Sequence, residues 1–423
     1  MTFRKLISGT LVAGVDQAWL SGLNFLIGLA FIHGGTKIEY GQYAMLFNGV
    51  LLVQSIQNAL INSPMTTVVP GRDVTEQPRL IADLSGAQTV LALLLAISGA
   101  AVVWVWLLLQ AGGSGPHAAA LAFGIAALGV LFREFVRAVC YVKHAPATAL
   151  ATDLAYGGLL LMAVAYLVST AGWNAHSALF AMGLAAAASV SYALWRGGFG
   201  LRMRSLFRAQ QALAELWPCA RWALRSVVVT WAYLNTYVYV VGAKMGASAV
   251  ADLTAARLLL VPLSMAFVAW ANIFRPRAAR WVAAGKTDVL DTYVQKSLLA
   301  VVALVAAYAF LLFALYPFLQ PLVLGEKYAQ LEPLVAAWLA FFTLNGVRSV
   351  GMACMLTADR GYRAMYYYGW VAFAVCFPGV LVAGIFGNTI AVVAALCAAE
   401  LVLAALIWLR GWPRMNAVAQ AAE

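Results

Sequence analysis

Long apolar runs alternate with short polar breaks along the whole chain. Twelve runs reach the ~20 residues that a helix needs to cross a bilayer: about 8–33, 42–69, 83–110, 117–142, 148–170, 175–195, 220–243, 250–274, 296–322, 332–357, 364–386 and 388–409. Ala, Leu and Val fill them without period-2 alternation, which predicts helices and not the strands of an outer-membrane barrel. The expected fold is therefore an all-α integral membrane protein of about 12 transmembrane helices. The longest interior break separates spans six and seven. It predicts an N-terminal six-helix lobe at 1–197, a linker at 198–218, and a C-terminal six-helix lobe at 219–423 with a short tail. In the linker, Arg202, Arg204 and Arg208 face Leu206, Phe207, Leu213 and Trp217. That pattern predicts a basic amphipathic helix lying on the inner leaflet.

The two halves repeat. A shift that aligns Pro64 with Pro276 also pairs Trp19 with Trp231, Ala44 with Ala256 and Leu51 with Leu263. Six helices per half give both halves the same orientation, a parallel repeat found among transporters.

Composition agrees with the pattern. Of 423 residues, 64% are hydrophobic and 10% charged, against about 25% charged in a soluble domain. The net charge of +11 reflects topology. Only Lys37, Lys244 and Lys327 fall in the connections after odd-numbered spans, and Arg257 lies deep in a span. The others lie at the termini, in the even connections or on helix ends beside them. The positive-inside rule then places both termini in the cytoplasm, with basic loops on anionic lipid. The N-terminal run is too long for a cleaved signal and is expected to be the first span. A nucleic-acid partner has no soluble domain to rest on.

Polar groups inside the spans are the candidate chemistry, because a charge near mid-bilayer costs ~2.5–3.5 kcal/mol and faces protein or water. Asp16 lies within span one, where Gln17, Ser21, Asn24 and Gly28 share a helical stripe. Span two carries Asn48, Gln54, Ser55, Asn58 and Asn62. Span four carries Arg133, Glu134 and Arg137. Span seven carries Arg225, Tyr233 and Tyr237, span eight Arg257, and span ten Asn345 and Arg348; Glu400 in span twelve has no partner nearby in sequence. The candidate cavity set is thus Asp16, Gln17, Asn24, Gln54, Asn58, Arg133, Arg137, Arg225, Tyr233, Tyr237, Arg257, Asn345 and Arg348. The arginines outnumber the acids counted with them, Asp16, Glu134 and Glu400, and suit an anionic, phosphate-bearing ligand. Asp16 is the candidate for coupling transport to an ion gradient. No cofactor is expected beyond a coupling proton or sodium ion. No metal site is expected, since the five cysteines form no CxxC pair and the four histidines lie at span ends. No Walker A, HExxH or GxSxG motif occurs in a usable context, so an enzyme is not expected.

The first span, followed by Ile38-Glu39-Tyr40-Gly41-Gln42-Tyr43-Ala44-Met45-Leu46-Phe47, resembles the polysaccharide-transporter branch of the multidrug/oligosaccharidyl-lipid/polysaccharide (MOP) flippase superfamily, which has a YGxY- or YGxF-type turn there. Val250 to Leu258 is similar to the second-repeat counterpart, although Leu253 stands where a Tyr is common. The resemblance implies a MATE-like pair of six-helix lobes around a cavity that opens alternately to each side. It implies a lipid-linked sugar repeat unit on a polyprenyl diphosphate as substrate, moved from the cytoplasmic to the periplasmic leaflet for exopolysaccharide or O-antigen synthesis alongside other assembly proteins. The rival expectations are a multidrug or metabolite antiporter of the same fold and a membrane-embedded glycan polymerase or ligase. The latter would need a longer outer loop than any here.

Overall fold

A computed structural model describes residues 3–109, 115–197, 208–284, 286–355 and 359–411. Part of the expected linker, 198–207 with Arg202 and Arg204, and the tail from 412 lie outside the described residues. Eleven described helices are long and apolar enough to cross a membrane, and one bent helix pair supplies a twelfth span. The chain is a multi-pass, all-helical membrane protein. Its packing divides it into two compact units, Met1–Val227 and Val228–Glu423.

The first unit holds α1 (Phe3–Gly34), α2 (Lys37–Gln57), α3 (Ser63–Val68), α4 (Gln77–Leu109), α5 (Pro116–Val142), α6 (Pro146–Ser169), α7 (Ala175–Gly197) and the start of α8 (Ala209–Met245). The turn between α1 and α2 is a capping box. Thr36 Oγ1 accepts from the Glu39 amide at 3.2 Å, and Glu39 Oε2 accepts from the Thr36 amide at 2.8 Å, satisfying donors that a helix start leaves open. Just beyond it, Tyr40 and Tyr43 are buried. Phe31 of α1 stacks on both, at 5.6 and 4.5 Å between ring centroids, and Trp173 packs on Phe31 at 4.6 Å. The Tyr-Gly-Gln-Tyr segment thus closes the α1–α2 hairpin by aromatic packing.

Helix α2 does not continue regularly. Asn58–Asn62 forms a π-helical turn before α3, and π turns of this kind concentrate at functional positions. Gln57, just before it, is fully buried. Its Nε2 donates to Gln88 Oε1 at 3.0 Å and to the Leu131 carbonyl at 2.8 Å, tying α2 to α4 and α5. Helix α5 is the axis of the unit, lying between α4 and α7. A Cβ on Gly129 of α5 would meet the Gly183 backbone of α7, and a Cβ on Gly183 would meet the Ile125 backbone of α5. Small residues are what allow such a close approach.

The expected surface helix at 198–218 is corrected from Ala209 onward. These residues are the first turns of α8. Ala209, Ala212 and Leu216 pack on a core of Ile61, Met65, Val69, Phe135 and Val139, and Glu215 pairs with Arg72 at 3.1 Å on the exposed side. Of the stripe expected to meet lipid, Leu213 packs against this core instead and Trp217 is exposed, while Leu206 and Phe207 lie outside the described residues.

The second unit contains the rest of α8, α9 (Ala247–Leu258), α10 (Val261–Ala283), α11 (Thr287–Leu319), α12 (Glu332–Met355), α13 (Asp359–Ile385) and α14 (Thr389–Leu406). Span eight, expected as one helix at 250–274, is two helices bent by 58°. Pro262 is the cause. It has no amide to donate, and it disfavours helical geometry at Val261. One freed carbonyl, Leu259, accepts from the Tyr308 hydroxyl of α11 at 2.5 Å. Helix α12 forms the centre, against α9, α10, α11 and α14.

Candidate functional site

Three helices of the first unit bring charge into one buried cluster. Helix α1 contributes Asp16, α5 contributes Arg133, Glu134, Arg137 and Tyr141, and α6 contributes Asp153 and Tyr156. Asp16 and Asp153 are both 0% exposed. Arg137 donates to Asp16 Oδ2 from Nε at 3.1 Å and from Nη2 at 2.7 Å, and the Tyr141 hydroxyl donates to the same oxygen at 3.0 Å. Arg137 Nε also lies 3.0 Å from Asp153 Oδ2, and its Nη1 lies 3.6 Å from Glu134 Oε2. Arg133 donates to Glu134 Oε1 at 2.6 Å, lies 3.5 Å from Asp153 Oδ1, and covers the Tyr156 ring at 4.0 Å. The i, i+4 spacing of Arg133 and Arg137 puts both on one face of α5. Trp19 of α1 lies across Gly157 of α6, where a Cβ would meet its indole, and its Nε1 donates to the Asp153 carbonyl at 2.9 Å.

Glu134, Arg137 and Tyr141 of the cluster open onto a pocket of about 340 Å³. The pocket is lined by Asn58, Asn62, Ser63 and Thr66 from the π turn and α3, and by Glu134, Arg137, Ala138 and Tyr141 from α5. Asn62 is buried and its Oδ1 has no hydrogen-bond partner, and Asp16 Oδ1 is likewise buried without one.

Of the sequence candidates, Asp16, Arg133, Arg137 and Asn58 meet at this site. Gln17 and Asn24 are exposed on α1, and Gln54 is half-buried on α2. Arg225 is exposed and lies over the Trp222 ring at 4.8 Å. In the second unit, Asn345 and Arg348 of α12 meet Glu400 of α14. Arg348 Nε donates to Glu400 Oε2 at 2.5 Å, and Asn345 Nδ2 donates to Oε1 at 3.4 Å. Glu400 is 0% exposed, so its missing partner is the arginine 52 positions earlier. Arg257, at the last turn of α9, is exposed and lies 5.5 Å from the Trp338 ring centre. Tyr233 and Tyr237 are buried, Tyr237 against Trp338.

The expectation of an arginine-rich, anion-favouring interior is corrected for the first unit. Asp153 was not among the candidates, and it brings the cluster to three carboxylates against two guanidiniums. Its signal was an acid two turns inside span five, seven residues after Pro146. Asn62, Ser63, Thr66, Glu134 and Tyr141 complete the site and also stood outside the candidate set. Among the described residues, Arg225 and Arg257 are in contact with indoles and have no carboxylate within ion-pair range.

No protein-family model and no curated protein matches the chain by sequence. Solved structures match it along nearly its full length. The outward-facing conformation of a multidrug resistance MATE family transporter of the MOP superfamily superposes with a TM-score of 0.68 at 13% identity, covering 98% of this chain and 96% of that one. A MOP superfamily transporter from Pyrococcus furiosus, described as having a binding pocket of reverse polarity, gives the same score, identity and coverage. The lipid II flippase MurJ, in an inward closed conformation, gives 0.69 at 9% identity over 97% and 91% of the two chains. The fold is that of MOP superfamily transporters.

Proposed function

We propose that the protein is a flippase for a lipid-linked oligosaccharide. It would move a repeat unit on polyprenyl diphosphate from the cytoplasmic to the periplasmic leaflet of a bacterial inner membrane, with both termini cytoplasmic, for exopolysaccharide or O-antigen synthesis. The observation that carries the reading is the first unit's pocket, where uncharged hydrogen-bonding side chains stand above a buried charge cluster within a membrane-spanning bundle. A fold shared with a lipid II flippase supports it. The similar solved structures are transporters and a flippase, which favours a transporter over a polymerase or ligase.

The cluster provides a coupling device. Its third carboxylate is neutralised by a proton or a monovalent cation, taken up near Asp16 and Asp153. Uptake weakens the hold of Arg137 on α1 and α6, so that occupancy of the site changes how these helices pack. Arg225 in the first unit and Arg257 in the second, which no described carboxylate neutralises, are each by themselves cations open to a phosphate.

A second reading follows from the same surplus of acid: an antiporter for cationic compounds, the polarity that three carboxylates against two arginines would favour. Depletion in cells separates the two. The flippase reading expects lipid-linked glycan to accumulate facing the cytoplasm. Normal delivery to the outer leaflet, with loss of cationic-dye efflux, establishes the antiporter instead.

A further inference from the structure

Resting on the flippase reading, we infer that the pocket between α2–α3 and α5 is a subsite for one neutral sugar of the headgroup and not for its phosphates. Among the described residues, Arg137 is the one Lys or Arg in the lining. Its guanidinium is already engaged by Asp16, Asp153 and Glu134. An entering phosphate or uronate would meet the Glu134 carboxylate beside a guanidinium that three carboxylates already hold, with no cation left to claim. The opposite wall is uncharged: Asn58, Asn62, Ser63 and Thr66 offer amides and hydroxyls, the groups that match sugar hydroxyls.

Two features show that this wall is built for a ligand. Asn62 lines the pocket and is only 5% exposed, and its Oδ1 is buried without a partner; native structures rarely leave such an acceptor unsatisfied. A sugar hydroxyl donating to it would complete the site. The π turn Asn58–Asn62 immediately precedes Ser63 and Thr66, so the π irregularity of the span lies where the wall is made. At about 340 Å³ the space sits at the small end of ligand sites, ~300–1,000 Å³. It suits a terminal ring and leaves the rest of an oligosaccharide outside.

The test uses the full-length protein in lipid nanodiscs and three probes: a C55 polyprenyl diphosphate alone, the same carrier bearing N-acetylglucosamine, and the carrier bearing glucuronic acid. The neutral-sugar carrier should bind about tenfold more tightly than the bare carrier, the scale of one or two net hydrogen bonds. The glucuronate carrier should gain nothing. Asn62→Leu should bring the ratio of neutral-sugar to bare-carrier affinity close to one. Asn58→Ala, at an exposed position with little to disturb in folding, should reduce it by at least threefold. Equal affinity for the three carriers, a preference for glucuronate, or a ratio that survives both variants overturns the inference. If the carriers bind equally and Arg257→Ala weakens all of them, the sugar subsite falls while the flippase reading stands. If no carrier binds and a cationic dye does, both fall.

Discussion

Arg137 is the residue on which most of the first unit's polar chemistry converges, since it bridges α5 to carboxylates on α1 and α6. Arg137→Leu leaves Asp16 and Asp153 buried opposite too little positive charge. A buried pair broken from one side costs about 3–5 kcal/mol. Detergent-solubilised Arg137→Leu should therefore unfold at clearly lower temperature than wild type, and adding Asp16→Leu should restore part of the loss. Asp16→Asn keeps the shape and most hydrogen bonds, so membrane levels should be normal while gradient-driven transport falls; unimpaired transport in this variant removes Asp16 from coupling. Local spacing in the sequence singles out Asp16, Arg133 and Arg137 as misplaced charges. It does not pair them, because Asp16 and Arg137 lie 121 positions apart. Asp153 escaped because an acid two turns into a span reads as a headgroup-level residue until the neighbouring helices are known.

At the scale of helices, the contacts that decide geometry are close approaches and buried ties. Helices α5 and α7 touch backbone to backbone at Gly129 and Gly183. Gly183→Leu forces them apart, with a cost of about 1–3 kcal/mol for overpacking, read as reduced membrane accumulation and a lower unfolding temperature. The same change at Gly158, where a Cβ meets open space, should be nearly silent. In the second unit, Arg348 and Glu400 tie α12 to α14. Removing either partner alone should destabilise more than the double change Arg348→Met with Glu400→Leu, because only the single variants strand a buried charge. Span positions were legible from hydropathy, since each needs only its own residues. The bend in span eight was also written locally, in Val261-Pro262, but a window average counts Pro262 as one residue among many and passes over it.

For the whole molecule, hydropathy and the distribution of Lys and Arg are enough to state twelve crossings and an orientation, and the crossings match the helices observed. The orientation yields a direct expectation. Single cysteines introduced at Thr75 and Ala145, in a background without the native five, should react with a membrane-impermeant thiol reagent only after the cytoplasmic face is opened. Cysteines at Gly172 and Gly387 should react in intact spheroplasts. The reverse pattern inverts the protein and with it the direction of transport. What the sequence concealed at this scale is that the packing division falls within α8, after Val227. A continuous apolar helix carries no mark of which neighbours each of its turns will meet.

The π turn at Asn58–Asn62 has a consequence for how the pocket tolerates change. A π turn carries one residue more than an α turn over the same rise, so it absorbs an extra residue without turning the helix that follows. Deleting Leu60 would let the turn close as plain α-helix, with Ser63 and Thr66 kept near their places on the wall. The same loss from the regular part of α2 would rotate everything after it by about 100°, the angle per residue of an α-helix. One missing codon should then be far milder at Leu60 than at Leu52.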